Sequence, residues 1–66
     1  MDAINKAIAA AGGISALARE AGVSRQAIYY WQQGKRQMSV EAAIAVEHAT
    51  NRAVLREELR PDIFVR

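Results

Sequence analysis

The sequence predicts an all-α fold, a compact domain of five helices that contains a helix-turn-helix. Three observations support this. Apolar residues recur at helical spacing, Asp or Ser residues stand where helices should begin, and Gly residues stand where helices should end. With 66 residues and 52% apolar content, the chain has material for one core, so we expect residues 1–66 to form a single domain.

The first helix is predicted over about residues 3–11, where Asp2 is placed to cap its N-terminus. The Gly-Gly pair at 12–13 should end it, because Gly is the usual residue for the left-handed exit from a helix. The apolar stripe of this helix consists of Ile4, Ala7, Ile8 and Ala11.

The second helix is predicted over about residues 14–21 and the third over about 25–33. Gly22 should stop the second helix, Ser24 should cap the third, and Gly34 should end it. Two helices joined by three residues have the arrangement of a helix-turn-helix. The apolar residues that should fix their crossing are Leu17, Ala21, Val23, Ile28 and Trp31.

A polar, basic loop over 34–37 is followed by a fourth helix that Ser39 should cap and Asn51 should close. The apolar face of this helix is wide, which predicts burial on more than one side and contact with a partner subunit. The residues of that face are Ala42, Val46 and Ala49, with Val40, Ala43 and Ile44 beside them.

The tail over 52–66 is predicted to form one or two helical turns that end at Pro61. Spacings of four, four and one between the apolar residues Leu55, Leu59, Ile63 and Phe64 favour a helix. The alternative is an α+β fold with C-terminal strands over 52–55 and 63–65, where good strand formers occur.

Composition limits the functional classes. The chain has no Cys, no N-terminal signal segment and no apolar run near the roughly 18 residues of a membrane span, so we expect a cytoplasmic protein without a membrane partner. His48 has no second His or Cys to share a metal ion, so we expect no metal and no cofactor.

An enzyme, and with it a small-molecule substrate, is not expected, because the chain offers no recognisable pairing of nucleophile and base and little room for a pocket. The carboxylates of Glu57, Glu58 and Asp62 are better explained by ion pairs with Arg56 and Arg60 along a helix.

Positive charge is concentrated in the first part of the chain. Residues 1–37 carry five basic and two acidic residues, a net charge of +3, whereas residues 38–66 carry four basic and five acidic residues, a net charge of −1. One side of the domain is therefore suited to phosphates and the other to a protein partner.

If Ile28 and Trp31 point inward, the helical period turns the polar and aromatic residues of the third helix outward. Arg and Gln bind guanine and adenine edges in the major groove, and Tyr packs on a thymine methyl or reaches a phosphate. The candidate base-contacting residues are Arg25, Gln26, Tyr29, Tyr30 and Gln33. For one of the two Tyr residues, a partly buried position that supports the fold is an alternative of equal weight to a base contact. The candidate phosphate-contacting residues are Ser15, Ser24, Lys35 and Arg36.

Over Ser15 to Trp31 and the tail Leu59 to Phe64, the sequence resembles the small helix-turn-helix repressors of the phage Cro type, including their YdaS-like subgroup. That resemblance implies a homodimeric transcriptional regulator. Two positions depart from the pattern. Ile14 replaces a Gln that often binds a phosphate in relatives, and Leu55 replaces a capping Ser or Thr.

The sequence therefore predicts a dimeric, Cro-like repressor that binds double-stranded DNA at an inverted repeat through the major groove. One alternative is the antitoxin of a toxin-antitoxin pair, whose tail would hold the toxin. Another is a helical protein-interaction module in which Tyr29, Tyr30 and Trp31 form an interface hot spot.

Overall fold

The computed structural model describes residues 2–64, within which the chain forms five α-helices and no strand. The helices are α1 (Ala3–Ala11), α2 (Ile14–Ala21), α3 (Arg25–Gln33), α4 (Val40–Ala49) and α5 (Arg56–Leu59). The predicted all-α fold is confirmed, and the alternative with C-terminal strands is wrong for the tail up to residue 64. Val65, the last residue of that alternative strand, lies outside the described residues. None of the five helices is both long and apolar enough to cross a membrane.

The predicted helix caps are confirmed. The side-chain oxygens of Asp2, Ser24 and Ser39 each accept a hydrogen bond from the backbone N–H three residues further on, at 3.0, 3.1 and 3.1 Å. Gly22 and Gly34 close α2 and α3 in the left-handed conformation, with φ of 69° and 71°. Capping bonds supply partners for helix N–H groups that would otherwise have none within the helix, so the sequence sets these boundaries locally.

The end of α4 comes slightly before the predicted position. Thr50 caps the helix, and its hydroxyl donates to the carbonyl oxygen of Val46 at 2.9 Å. Asn51 does adopt the left-handed conformation, with φ of 52°, but Arg52 shares it, with φ of 64°. Two consecutive left-handed residues reverse the chain and bring the tail back towards α4.

The core is built around α2, which packs against α1, α3 and α4. Leu17 of α2 and Ile28 of α3 are fully buried within it, together with Val46 of α4 and Val54 of the turn that follows. The other buried apolar residues are Ile4, Ala7, Ala18, Met38, Ala42 and Ala43. The wide apolar face of α4 is thus largely used inside the same chain, although Val40 at its start remains exposed.

One buried charge was not predicted from the sequence. Glu47 of α4 is only 4% exposed, and its carboxylate accepts three hydrogen bonds from Arg56. They come from the backbone N at 3.0 Å, from Nε at 3.0 Å and from Nη2 at 2.7 Å. The Arg56 side chain is the main cause of the lowered pKa of Glu47, with its backbone N–H the next. This ion pair stabilises the contact between the single-turn helix α5 and α4.

The ion pairs of the tail differ from the prediction in their partners. Arg56 pairs with Glu47 across the α4–α5 contact instead of with a carboxylate of its own helix. Glu58 pairs with Lys6 of α1 at 2.6 Å, and only Arg60 has the expected kind of neighbour, Asp62, at 2.7 Å. The physical reason is length, because a helix of four residues has no i,i+4 neighbours to pair.

The beginning of α5 also differs from the Cro-type pattern. Leu55 has no side chain that can cap the helix, but its backbone N–H donates to Glu58 Oε2 at 2.9 Å. This bond is the half of a capping box that the third residue of the helix supplies. The start of α5 therefore does not depend on a Ser or Thr at this position.

Two adjacent residues of α3 should differ sharply in their effect on stability. Ile28→Ala leaves a cavity at a position with no exposed surface and should lower the free energy of unfolding by about 2–5 kcal/mol. Tyr29→Ala, at a position 45% exposed, should change it by less than about 0.5 kcal/mol. Urea unfolding of both variants measures the difference, and equal losses would contradict the orientation of α3.

The Glu47–Arg56 ion pair should make stability depend on pH. Because the folded pKa of Glu47 lies below its ordinary value of 4.5, its stabilisation is fully present above pH 4.5 and is lost as the pH falls through the folded pKa. Glu47→Gln should lower the free energy of unfolding at pH 7 by about 1–3 kcal/mol, because it leaves Arg56 donors with a poorer acceptor. Urea unfolding at several pH values should show the gap from the parent closing below pH 4.5. A gap that stays constant would exclude this role. Glu41→Gln, on the exposed surface of α4, is the control.

Candidate nucleic-acid interface

The inner face of α3 is fixed by three contacts. Ile28 is fully buried in the core, and Trp31 is half-buried and packs against it. On one flank of the helix, Gln32 Nε2 donates a hydrogen bond to Asn5 Oδ1 of α1 at 3.0 Å. The prediction that Ile28 and Trp31 point inward is therefore confirmed, and the bond to Asn5 is an anchor that the sequence analysis did not find.

The outer face of α3 carries four polar or aromatic side chains. Arg25, Gln26, Tyr29 and Gln33 are all exposed. Successive residues of an α-helix are turned by about 100°, so these four positions share a sector of roughly 100°. Within residues 2–64, none of their side chains has a hydrogen bond or an ion pair. The four side chains form one open surface, here called the α3 face.

Tyr30 differs from the other four candidate base-contacting residues. It is half-buried at the edge of the α3 face, and the guanidinium carbon of Arg36 lies 5.2 Å from the centre of its ring. The backbone N–H of Lys35 donates to the carbonyl oxygen of Tyr30 at 3.0 Å. Tyr30 thus contacts the loop that follows α3 through both its ring and its main chain.

The turn between α2 and α3 has the predicted three residues. The N–H of Val23 donates to the carbonyl oxygen of Ala18 at 3.0 Å, immediately after Gly22 has ended α2. Ala18 is buried where the helices approach each other, and a larger side chain there would separate them. This turn directs the N-terminus of α3 and the whole α3 face to the outside.

The four candidate phosphate-contacting residues are all exposed. Ser15 lies in the first turn of α2, whose N-cap is Gly13, so no side-chain hydrogen bond covers the start of this helix. The Ser24 hydroxyl already accepts the capping bond of α3, but its own hydrogen remains available for donation. Lys35 and Arg36 follow α3 in the loop.

The ion pairs leave positive charge uncompensated mainly near α3. Lys6, Arg56 and Arg60 have carboxylate partners within 2.7 Å. Arg19 has a longer, exposed contact of 3.7 Å with Glu20. Among residues 2–64, the basic side chains without a carboxylate partner are Arg25, Lys35, Arg36 and Arg52. Three of these four lie on α3 or in the loop after it.

The structure contains a cleft that the sequence did not predict. It has a volume of about 340 Å³ and lies between the start of α1, the loop after α3 and α5. Trp31, Met38 and Leu59 line it, together with the carboxylates of Asp2 and Glu58. The cleft forms because α5 folds back over the start of α1. Both carboxylates have structural roles, Asp2 as the cap of α1 and Glu58 in the ion pair with Lys6.

Comparison with protein families identifies the chain. The model of the family described as bacterial toxin YdaS matches residues 4–66, which is nearly the whole sequence. The chain belongs to the YdaS family. This finding confirms the predicted resemblance to the YdaS-like subgroup of Cro-type helix-turn-helix proteins.

Two named proteins that resemble this YdaS family member agree with the assignment. A protein of Escherichia coli (strain K12) that is named as a transcriptional regulator, YdaS, is 50% identical over 58 residues, covering 88% of this chain. The chain spans 59% of the length of that relative. A solved structure, the Cro protein from a prophage element, Xfaso 1, in Xylella fastidiosa strain Ann-1, matches with a TM-score of 0.90 at 44% identity. That match covers 100% of both chains.

Proposed function

We propose that this chain is a sequence-specific DNA-binding transcriptional regulator that acts in the cytoplasm. The observation that supports it most strongly is the α3 face, an exposed set of side chains that have no hydrogen-bond or ion-pair partner among residues 2–64 and are flanked by uncompensated positive charge. A surface of this kind is suited to base edges and phosphates. The names of the two relatives, a transcriptional regulator and a Cro protein, agree with it.

The α3 face would contact bases in the major groove. The guanidinium of Arg25 is suited to O6 and N7 of guanine, and the amides of Gln26 and Gln33 are suited to N6 and N7 of adenine. The ring of Tyr29, which is 45% exposed, would pack on a thymine methyl. Tyr30 is the fifth candidate of the sequence analysis, and its different surroundings are treated below.

Contacts to the DNA backbone would flank α3. Ser15 would bind one phosphate together with the N-terminal N–H groups of α2, where Ile14 offers no polar side chain. The Ser24 hydroxyl would donate to a phosphate near the start of α3. Lys35 and Arg36 would bind a phosphate beyond its end. These contacts contribute affinity and register, whereas the α3 face contributes sequence preference.

A homodimer would place two α3 helices in successive major grooves, about 34 Å apart, on an inverted repeat. The C-terminal half of the chain offers a surface for the second copy. Val40 and Ile63 lie in this half and are exposed to 38% and 44%, and Tyr29 of the α3 face is the only other large apolar residue within 2–64 exposed to this extent. Repression at such an operator would follow from occupying the DNA.

The family description favours a second candidate function, a toxin. Toxicity would arise if the chain bound DNA that its host needs to transcribe. Expression of the parent chain should then slow growth, and expression of an Arg25→Ala variant should not. Growth inhibition that persists in the variant would indicate a toxic activity unrelated to the α3 face.

Base and phosphate contacts can be separated by mutation. Arg25→Ala should cost about 1–3 kcal/mol on the preferred sequence and much less on sequences altered at the base pair that Arg25 contacts. Lys35→Ala should weaken binding to all sequences alike and reduce the salt slope by about 0.9. Binding selection on random duplexes at two salt concentrations measures both. Arg52→Ala removes an unpaired charge in the turn after α4 and is the control. Equal losses on every duplex after Arg25→Ala would count against the assignment.

The proposed dimer surface makes its own prediction. Ile63→Glu places a charge on an apolar surface and should shift the dimer-to-monomer midpoint to at least tenfold higher concentration, since burying an unpaired charge is strongly unfavourable. Tyr29→Glu is the matched control, because Tyr29 is equally exposed but lies on the α3 face. Sedimentation equilibrium over a range of concentrations measures both. A dimer unaffected by Ile63→Glu would place the interface elsewhere.

A further inference from the structure

We propose that Tyr30 is a positioning residue that holds Arg36 in place for a phosphate, and that Tyr30 does not itself contact a base. This inference rests on the proposed function and refines it at one residue. The sequence alone leaves both roles open for Tyr30, because helical periodicity assigns it to the same outward side as Tyr29.

The first observation is the stacking of Arg36 on the Tyr30 ring. The guanidinium carbon lies 5.2 Å from the ring centre, within the range of a cation–π contact. A guanidinium placed over a ring keeps N–H donors available for hydrogen bonds. Arg56 and Arg60 differ, because both direct N–H groups at carboxylates of the same chain. The Tyr30 ring is therefore the neighbour of the Arg36 side chain, which is exposed and makes no hydrogen bond among residues 2–64.

The second observation is that Tyr30 also fixes the backbone of the same loop. Its carbonyl oxygen accepts the N–H of Lys35 at 3.0 Å, and Gly34 between them adopts the left-handed conformation that turns the chain. The main chain of Tyr30 thus sets the beginning of the loop, and the ring sets the side chain at position 36. Both contacts are made within the chain itself.

The third observation is the position of Tyr30 on the helix. It is half-buried at the edge of the α3 face, whereas Tyr29 is exposed and its side chain has no hydrogen bond in the described part of the chain. A ring covered on one side by a guanidinium is less accessible to a base edge. Holding Arg36 before binding reduces the side-chain entropy lost when it meets a phosphate, so the contact gains affinity without a base preference.

A double-mutant cycle on DNA binding tests this inference. The variants are Tyr30→Leu, Arg36→Ala and the double variant, and each is measured on the duplex selected by the parent protein over a range of salt concentrations. Arg36→Ala should reduce the salt slope by about 0.9, the value for one phosphate. Tyr30→Leu should give a smaller reduction of the same sign and leave the selected sequence unchanged. The double variant should be no weaker than Arg36→Ala alone, because Tyr30 acts through Arg36.

Additive losses in the cycle, or a changed base preference in Tyr30→Leu, would overturn the inference. Tyr29→Leu is the matched control, and its loss should be additive with that of Arg36→Ala and depend on sequence. A parent chain that selects no duplex sequence would overturn the proposed function and this inference together. Sequence selection by the parent with an additive cycle would overturn this inference alone.

A second variant separates positioning from folding. Tyr30→Phe keeps the ring and removes the hydroxyl, so it should retain the parent's affinity, salt slope and sequence preference. NMR of the free protein should show the Cδ protons of Arg36 shifted upfield by the ring in the parent and in Tyr30→Phe. An unshifted Arg36 in the parent, or an altered base preference in Tyr30→Phe, would contradict the role given to the ring.

Discussion

The burial of Ile28 is the constraint on which the rest of the structure depends. Ile28 enters the core built around α2, and its position fixes how α3 is rotated about its own axis. Trp31 and the hydrogen bond from Gln32 to Asn5 hold the same rotation from two further points. A turn of the helix by one residue, about 100°, would place the ring of Tyr29 inside and remove the α3 face. The packing of Ile28 in the core therefore also determines that the α3 face is exposed.

Charge distribution follows from how the tail folds. Helix α5 returns over α4 and α1, and its contacts bring Lys6 and Arg56 into ion pairs with carboxylates, while Arg60 pairs with its neighbour Asp62. The formal net charge of +2 is small, and the sequence alone does not show which basic side chains are compensated by carboxylates. In the fold, ion pairs compensate the charges of Lys6, Arg56 and Arg60. The remaining charge on Arg25, Lys35 and Arg36 is concentrated where we propose that DNA binds. A chain with a small net charge thereby has a positive electrostatic potential around α3 and the loop after it.

The features that could be predicted from the sequence are those that depend on residues close together in the chain. The caps at Asp2, Ser24 and Ser39 and the Gly stops are local, so the helix boundaries followed closely. The inward position of Ile28 follows from periodicity alone. What the sequence missed is the pairing of Glu47 with Arg56, the cleft beside Trp31 and, at the loop after α3, the contact of Arg36 with Tyr30. The first two depend on where the chain turns after α4. A left-handed Asn51 is typical of a helix end, but the second left-handed residue, Arg52, follows no simple pattern.

The central claim, that the α3 face is the surface that meets DNA, is tested most directly by NMR. The isotope-labelled chain is titrated with the duplex obtained by selection, and backbone and side-chain shifts are followed. We expect the largest changes at the side chains of Arg25, Gln26, Tyr29 and Gln33, with smaller changes in the loop after α3. Changes confined to α4 and α5, with the α3 face unaffected at saturation, would contradict the account.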